Sequence, residues 1–486
     1  MRKVLILLLF LLPASLALLS CGGSSGASST TKTSGIAYRA FITNAVSSGT
    51  QTAGVYIVNA QTDVRPVAAP ISAGNTPGTM VLTPNRAQTL VFSGNGTLTS
   101  DNQFTIINNA DESASFHINL PGMTQSFVVS PDSSTAYVAV PTATVTGQSQ
   151  GAIEVVSLGT GGVIAEISCP TVNSVNAACS WPAPVPQGYN APYSLLSIGN
   201  TGNRILAFSE TSGSASVANT VAVVTPSNAG TANPVITFVT GAGPTSFDRP
   251  IWAFFNSDDT TAYVLNCGAE CGGTQASIQT LDLTTTPPTP GTPVPVPAAT
   301  VALVSNSTVY LAGTPAPSQP CPTGTLATSC GLLTLFNLNT MSVVQPPNCP
   351  AGQQCPIIIT DGYHTQLSMG PNGQLYVGAR TCTEVVPPVP PPTGAEVRGC
   401  LSIYNTLSTA VGSAPPGGVL IPPENGDVTG IQPITSRTVV YVIQGGSLSI
   451  YDDTIDALEY NPNDPNNPGQ ISNLVGDFVD VITPDI

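Results

Sequence analysis

The chain is 486 residues long, with a formal net charge of −15 and only 8% charged residues. Phosphate recognition needs clustered Lys and Arg, and Lys32 is the one lysine after Lys3, so the composition excludes nucleic acid as a partner. With 46 Gly and 46 Pro beside abundant Thr and Val, and no sustained helical periodicity after the first twenty residues, it also excludes a helical protein and points to short strands joined by turns.

Arg2 and Lys3 precede an apolar run from Val4 to Leu19, broken only by Pro13 and Ser15. A charged start followed by such a run reads as an export signal, too short for a spanning helix. It ends in Leu18-Leu19-Ser20-Cys21, followed by Gly22-Gly23. This resembles the bacterial lipoprotein signal, with a leucine three residues before the cysteine and a small residue just before it. The resemblance implies that residues 1–20 are removed, that Cys21 carries lipid on its sulfur and amine, and that the membrane is a partner through this anchor. Gly22 is compatible with outer-membrane sorting by the same resemblance; a periplasmic or an outward orientation both stay open. An ordinary secreted protein with a chance cysteine is the alternative. Removing Arg2 and Lys3 takes the charge from −15 to −17. Residues 21–34 are almost all Gly, Ser, Thr and Ala, a flexible tether.

From residue 35 to residue 486 the strands follow one another without a break in character. Ala37–Thr43 and Val55–Asn59 come first, with a short edge near Val64–Ala68. Met80–Leu82, Thr89–Phe92, Phe104–Asn108 and Ser115–Asn119 form the next set, and Ser126–Val129, Ala136–Val140, Ala152–Ser157 and Val163–Ile167 the clearest one. Further sets open at Tyr193–Ile198, Ile251–Phe255, Thr300–Val304, Thr365–Met369 and Ile431–Ile434. A polar turn recurs between the first two strands of each set: Thr83-Pro84-Asn85, Ser130-Pro131-Asp132 and Gly370-Pro371-Asn372-Gly373, with variants at Asn256–Asp259 and Asn306–Ser307. Its spacing of roughly 45 to 65 residues is that of a four-stranded blade.

The chain is therefore expected to be all-β, a single propeller of eight blades, with seven as the alternative. The first set lacks an inner strand and the last has a spare one, Phe478–Ile482, so the C-terminal strand is expected to complete the first blade and close the ring. Ser130-Pro131-Asp132-Ser133 with Ala136-Tyr137-Val138, and Gly370–Gly373 with Leu375-Tyr376-Val377, resemble the YVTN-type propellers, a family that includes lactonase-like and surface-antigen members. The resemblance covers most of residues 36 to 483. It implies fold, with the aromatic packing between blades, and hardly touches function.

Apart from Cys21, ten cysteines fall into neighbouring pairs: Cys169/Cys179, Cys267/Cys271, Cys321/Cys330, Cys349/Cys355 and Cys382/Cys400. An even count in an exported chain points to disulfides, sequential pairing being simplest. Zinc is the rival reading, but the sequence has only two histidines. All five pairs are expected on one face of the propeller, in loops joining second to third strands or one blade to the next. That face also gathers Trp181, Tyr189, Tyr193, Phe247, Asp248, Arg249, Tyr363 and His364, with the loops Val385–Pro392 and Asn461–Pro468. These are its candidate binding residues.

No catalytic set is expected. His117 reads as a surface or inter-blade residue, and His364 stands without a nucleophile motif such as G-x-S-x-G. Asp452, Asp453, Asp456 and Glu459 lack the calcium-loop spacing, so neither a metal nor another cofactor is expected. The expected function is a lipid-anchored, non-enzymatic binding or scaffold module of the cell envelope for a protein or glycan; a lactonase-like propeller hydrolase is the alternative.

Overall fold

The recurring turn is the unit from which the fold is built. In Ser130–Ser134 the Asp132 carboxylate accepts the Ser134 amide at 3.0 Å and the Ser130 hydroxyl at 2.5 Å, while Ser133 is left-handed at φ 61°. Asn85 accepts the Ala87 amide at 3.0 Å, and the next residue, Arg86, has φ 59°. Asp258 repeats the bond to the Thr260 amide at 3.3 Å beside Asp259 at φ 56°. A left-handed residue is needed at this point, which is why Gly202 and Gly373 serve two of the blades, at φ 75° and 87°.

A computed structural model describes residues 34–45, 52–66, 68–94, 101–143, 151–168, 179–180, 193–209, 219–226, 234–321, 327–383, 399–424, 426–459, 469, 471, 474 and 476–485. The strands form eight sheets, antiparallel except for one short parallel strand at the rim of the fourth, and each is a blade built outward from the central axis. The structure is thus an eight-bladed, all-β propeller, and the eighth unit is a true blade. The third blade is typical: Phe127–Val129, Thr135–Val140, Ala152–Ser157 and Gly162–Ile167 pair in chain order.

Closure follows the expected route. Phe478–Ile482 pairs antiparallel with Arg39–Asn44, which pairs with Gly54–Asn59; bridges at Val64 and Ile71 mark the outer edge. The first and last described strands therefore share one sheet, so this blade opens only if ladder bonds break.

Hydrophobic side chains of each strand alternate between its two neighbouring blades, so the core lies in the seams. Ala40, Ile42, Tyr56 and Phe478 meet Tyr441, Ile443 and Ile450 between the last blade and the first. Tyr137 and Tyr376, the aromatics after the turn, sit in the seams beyond the third and seventh blades.

One cysteine loop departs from expectation. The third strand of the sixth blade, Ser329–Asn337, is nine residues long. It pairs at one end with Ser342–Val344 and at the other with Ile357–Ile359. Cys349–Cys355 therefore closes an excursion within the outer strand instead of a connection between blades. The long third strand has room for both halves, which the spacing of the cysteines does not reveal.

Candidate functional site

The two faces of the propeller are fastened differently. On the short-turn face, groups of one blade bond to the next. Asn85 donates its amide to Ser133 Oγ at 3.0 Å, and Asp259 accepts the amides of Asn200 and Thr201 at 2.8 Å. Asp453 accepts the Asn372 amide at 2.7 Å and the Tyr376 hydroxyl at 3.0 Å, and Arg437 pairs with Asp63 at 2.7 Å. Burial pushes the Asp453 carboxyl up to about 6, against the bonds it accepts. The acidic sequence cluster is divided among these tasks: Asp456 accepts the Ser413 and Ala414 amides, and Glu459 pairs with Arg437. Among the described residues no group of three His, Cys, Asp or Glu could hold a metal ion.

The opposite face carries the long loops. Cys267–Cys271, Cys321–Cys330 and Cys382–Cys400 are disulfides, each in the connection between a second strand and a third. With Cys349–Cys355, four sequential pairs are formed among the described residues, and they point to an oxidising, exported setting. No described helix is long and apolar enough to cross a membrane. Cys169 lies outside the described residues. The backbone of Cys179 and Ser180 adds a parallel strand beside Ile236 and Thr237 at the rim of the fourth blade.

Carboxylates also hold these loops. Asp361 accepts the Thr383 amide at 2.8 Å and its hydroxyl at 2.6 Å, fastening the Cys382 loop. Asp248 repeats the arrangement with the Thr274 amide at 2.8 Å, its hydroxyl at 2.5 Å and the Gln275 amide at 2.7 Å. Glu270, inside the Cys267–Cys271 loop, accepts the Thr314 amide at 2.7 Å and the Thr300 hydroxyl, and so spans to the sixth blade. Its pKa is raised by burial, partly offset by those bonds.

The candidate residues divide. Tyr193, Phe247 and His364 are buried, at 0%, 1% and 0% exposure, and belong to the packing. Tyr193 joins the seam between the third and fourth blades, and Phe247 that between the fourth and fifth. His364 Nε2 lies 3.1 Å from the Thr360 carbonyl, and a Cβ at Gly331 would collide with its ring. Burial holds its pKa down at about 4, so the imidazole is neutral at ordinary pH. Asp248, Arg249 and Tyr363 are half-buried and reach the surface. Trp181, Tyr189 and the loops Val385–Pro392 and Asn461–Pro468 lie outside the described residues.

Asp248 and Arg249 edge a cleft of about 500 Å³ between the fourth and fifth blades. Asn219, Phe247, Gly273, Gln275 and Pro295 complete its walls. Arg249 is itself left-handed, at φ 61°, and its amide donates to Asn219 Oδ1 at 3.1 Å. Sequence reading did not single out Asn219, Gly273 or Gln275. The Gly272-Gly273 pair directly after Cys271 was the available signal of a tight wall.

No family model matches the sequence, and no curated protein matches it either. Among solved structures, the dihydro-heme d1 dehydrogenase NirN, in complex with DHE, is 10% identical with a TM-score of 0.51, over 86% of this chain and 71% of that one. Hydrazine synthase of Kuenenia stuttgartiensis is 12% identical with a TM-score of 0.46, over 80% of this chain and 99% of that one. A 6-phosphogluconolactonase-like protein from Bacteroides uniformis is 11% identical with a TM-score of 0.41, over 71% of this chain and 90% of that one. At these identities the likeness is one of fold, the β-propeller.

Proposed function

We propose that this protein is a lipid-anchored binding or scaffold module of the cell envelope, built on YVTN-type repeats and probing its surroundings with the disulfide-clipped loop face. The observation that carries the reading is the asymmetry of the two faces. The short-turn face is closed over by bonds from blade to blade. The loop face carries three disulfides on second-to-third-strand loops, carboxylates that brace those loops, and the cleft beside Arg249. Long loops held stiff on a rigid scaffold are a common way to present a binding surface, because little ordering remains to oppose association. The Cys21 signal would tether that face to the membrane, in the outer membrane if Gly22 sorts as its resemblance implies. The partner class is an envelope or extracellular protein or glycan.

The test is affinity capture with the full detergent-solubilised chain from envelope extracts, before and after reduction. Specific capture that drops on reduction supports the reading. Capture indifferent to the loop face, or turnover of a lactone by the purified chain, overturns it.

A further inference from the structure

The few cations of this protein are almost all accounted for by other groups. Arg39 pairs with Glu112 and Asp485, and Arg437 with Asp63 and Glu459. Arg86 donates to the carbonyls of Thr483 and Pro484, Arg65 lies over the Tyr56 ring, and Arg204 donates to Asn203 and Thr225. Arg380 is exposed to solvent at the end of Gln374–Arg380, whereas Arg249 is half-buried and stands apart. Among the described residues no carboxylate is within ion-pair distance of it. Its one side-chain bond is a long one, from Nη2 to the Gly272 carbonyl at 3.4 Å. Nη1 is shielded from solvent and has no partner among the described residues.

The neighbouring carboxylate does not serve it. Asp248 Oδ2 receives three donors from Thr274 and Gln275. A Cβ at Gly273 would press on the Asp248 carboxylate and force it to shift, so glycine suits this wall. The Cys267–Cys271 disulfide closes the loop behind it. Arg249 takes a left-handed backbone at the corner of this loop, with φ 61°.

A guanidinium with a shielded, unanswered donor matches a planar anion, and a carboxylate takes it as a fork. The one other charged group in the wall is Asp248, whose Oδ2 is taken up by Thr274 and Gln275; the remaining lining is uncharged. Asn219 uses its oxygen for the Arg249 amide and keeps its amide nitrogen to donate. Ser246 and Ser277 are also in the wall, and Pro293 and Pro295 supply apolar edges. A cleft of about 500 Å³ suits one or two sugar rings better than an extended chain.

We propose that this cleft is a subsite for the carboxylate of an acidic sugar, a uronate residue of a glycan, held by Arg249, with Asn219 and the cleft serines meeting ring hydroxyls. This rests on the loop face being the binding face and names the ligand class it takes there.

The test titrates the full chain with sodium glucuronate, with glucose and with a tetra-aspartate peptide, read by calorimetry. Arg249→Asn is the variant of choice, because Asn tolerates the left-handed backbone; its melting temperature reports folding. Arg249→Lys keeps charge without the fork. The expected result is binding of glucuronate but not glucose, weakened at least tenfold in Arg249→Asn, partly restored in Arg249→Lys, and weakened by salt. Equal binding of glucose and glucuronate, preference for the peptide, no glucuronate binding, or a folded Arg249→Asn that binds as before each overturns the proposal. If glucuronate fails while reduction-sensitive capture of an envelope partner persists, the subsite is wrong and the binding face stands. If Arg249→Asn proves unfolded, Gly273→Ala, which presses on Asp248 and narrows the cleft, replaces it and must lower glucuronate affinity by the same criterion.

Discussion

Arg39 and Asp485 tie the two ends of the described chain together. Arg39 Nε donates to Asp485 Oδ2 at 2.8 Å and Nη2 to Oδ1 at 2.9 Å, a bidentate pair. Nη1 reaches the second blade, donating to Glu112 at 3.0 Å and to the Asn109 carbonyl. Beside it Asp480, in the closing strand, accepts the Met80 amide at 2.8 Å. The strand pairing that closes the ring is thus reinforced by buried ion pairs and hydrogen bonds to the second blade.

Replacing Arg39 with Met should therefore destabilise the whole ring. The guanidinium is buried, and its loss leaves two carboxylates without their partner, which for buried pairs costs about 3–5 kcal/mol. Urea unfolding should show a lower midpoint in one cooperative transition. A midpoint within error of the parent would mean that the strand pairing of Phe478–Ile482 closes the ring unaided.

A second prediction concerns pH. Glu154 is 3% exposed, and its carboxyl is pushed up to about 7, first by burial and then by the charge and hydrogen bond of Glu166. The folded state keeps a proton that the unfolded chain sheds near 4.5, so the stability linked to Glu154 is fully present below that value. It is lost as pH rises to about 7. Asp480, also near 7, acts in the same direction, whereas His364, held near 4, lowers stability as pH falls below its normal 6.5. Glu154→Gln isolates one of these. Its melting temperature should match the parent at pH 4.5 and exceed it at pH 8, since Gln mimics only the neutral acid. A difference that does not change with pH would refute the assignment.

Local features were readable in the sequence, and those set by assembly were not. The turn at Ser130–Ser134 is closed by its own side chains, so it was legible as a repeat, and the eight sets of strands around it count the blades correctly. Cysteine partners 4 to 18 residues apart were equally readable. The position of Cys349–Cys355 was not, because it depends on how far the strand Ser329–Asn337 runs. Nor was the burial of His364, which fills a gap left by Gly331 in the neighbouring sixth blade. Asp248 and Arg249 are adjacent in sequence with opposite charge, and would be taken for a pair. Only the folded loop shows Asp248 engaged by Thr274 and Arg249 left over.

Changing Cys21 to Ala should move the protein from the membrane to the soluble fraction without altering its melting temperature. Among the described residues the propeller's packing begins at Ile36, fifteen positions after Cys21. Cell fractionation with a high-salt wash checks this. A Cys21→Ala protein that still pellets with membranes would disprove lipid anchoring.

The last prediction separates the disulfides by position. Cys267, Cys330 and Cys400 are at most 1% exposed, so each loop-face bridge has one shielded partner. Cys349 and Cys355 are both partly exposed, on the excursion of the outer strand. Thiolate attack requires access, so mild reductant should open Cys349–Cys355 first and the loop-face bridges later. By the chain-entropy estimate a loop of about 15 residues is worth roughly 3 kcal/mol, so losing Cys382–Cys400 should matter most and losing Cys267–Cys271 least. Stepwise alkylation with peptide mapping gives the order, and circular dichroism and partner capture are followed alongside. The first step should leave both unchanged. The later steps should reduce capture while most of the β-sheet signal survives, because the ladders do not run through the loops. Loss of capture with Cys349–Cys355 alone would move the working surface from the loop face to the outer edge of the sixth blade.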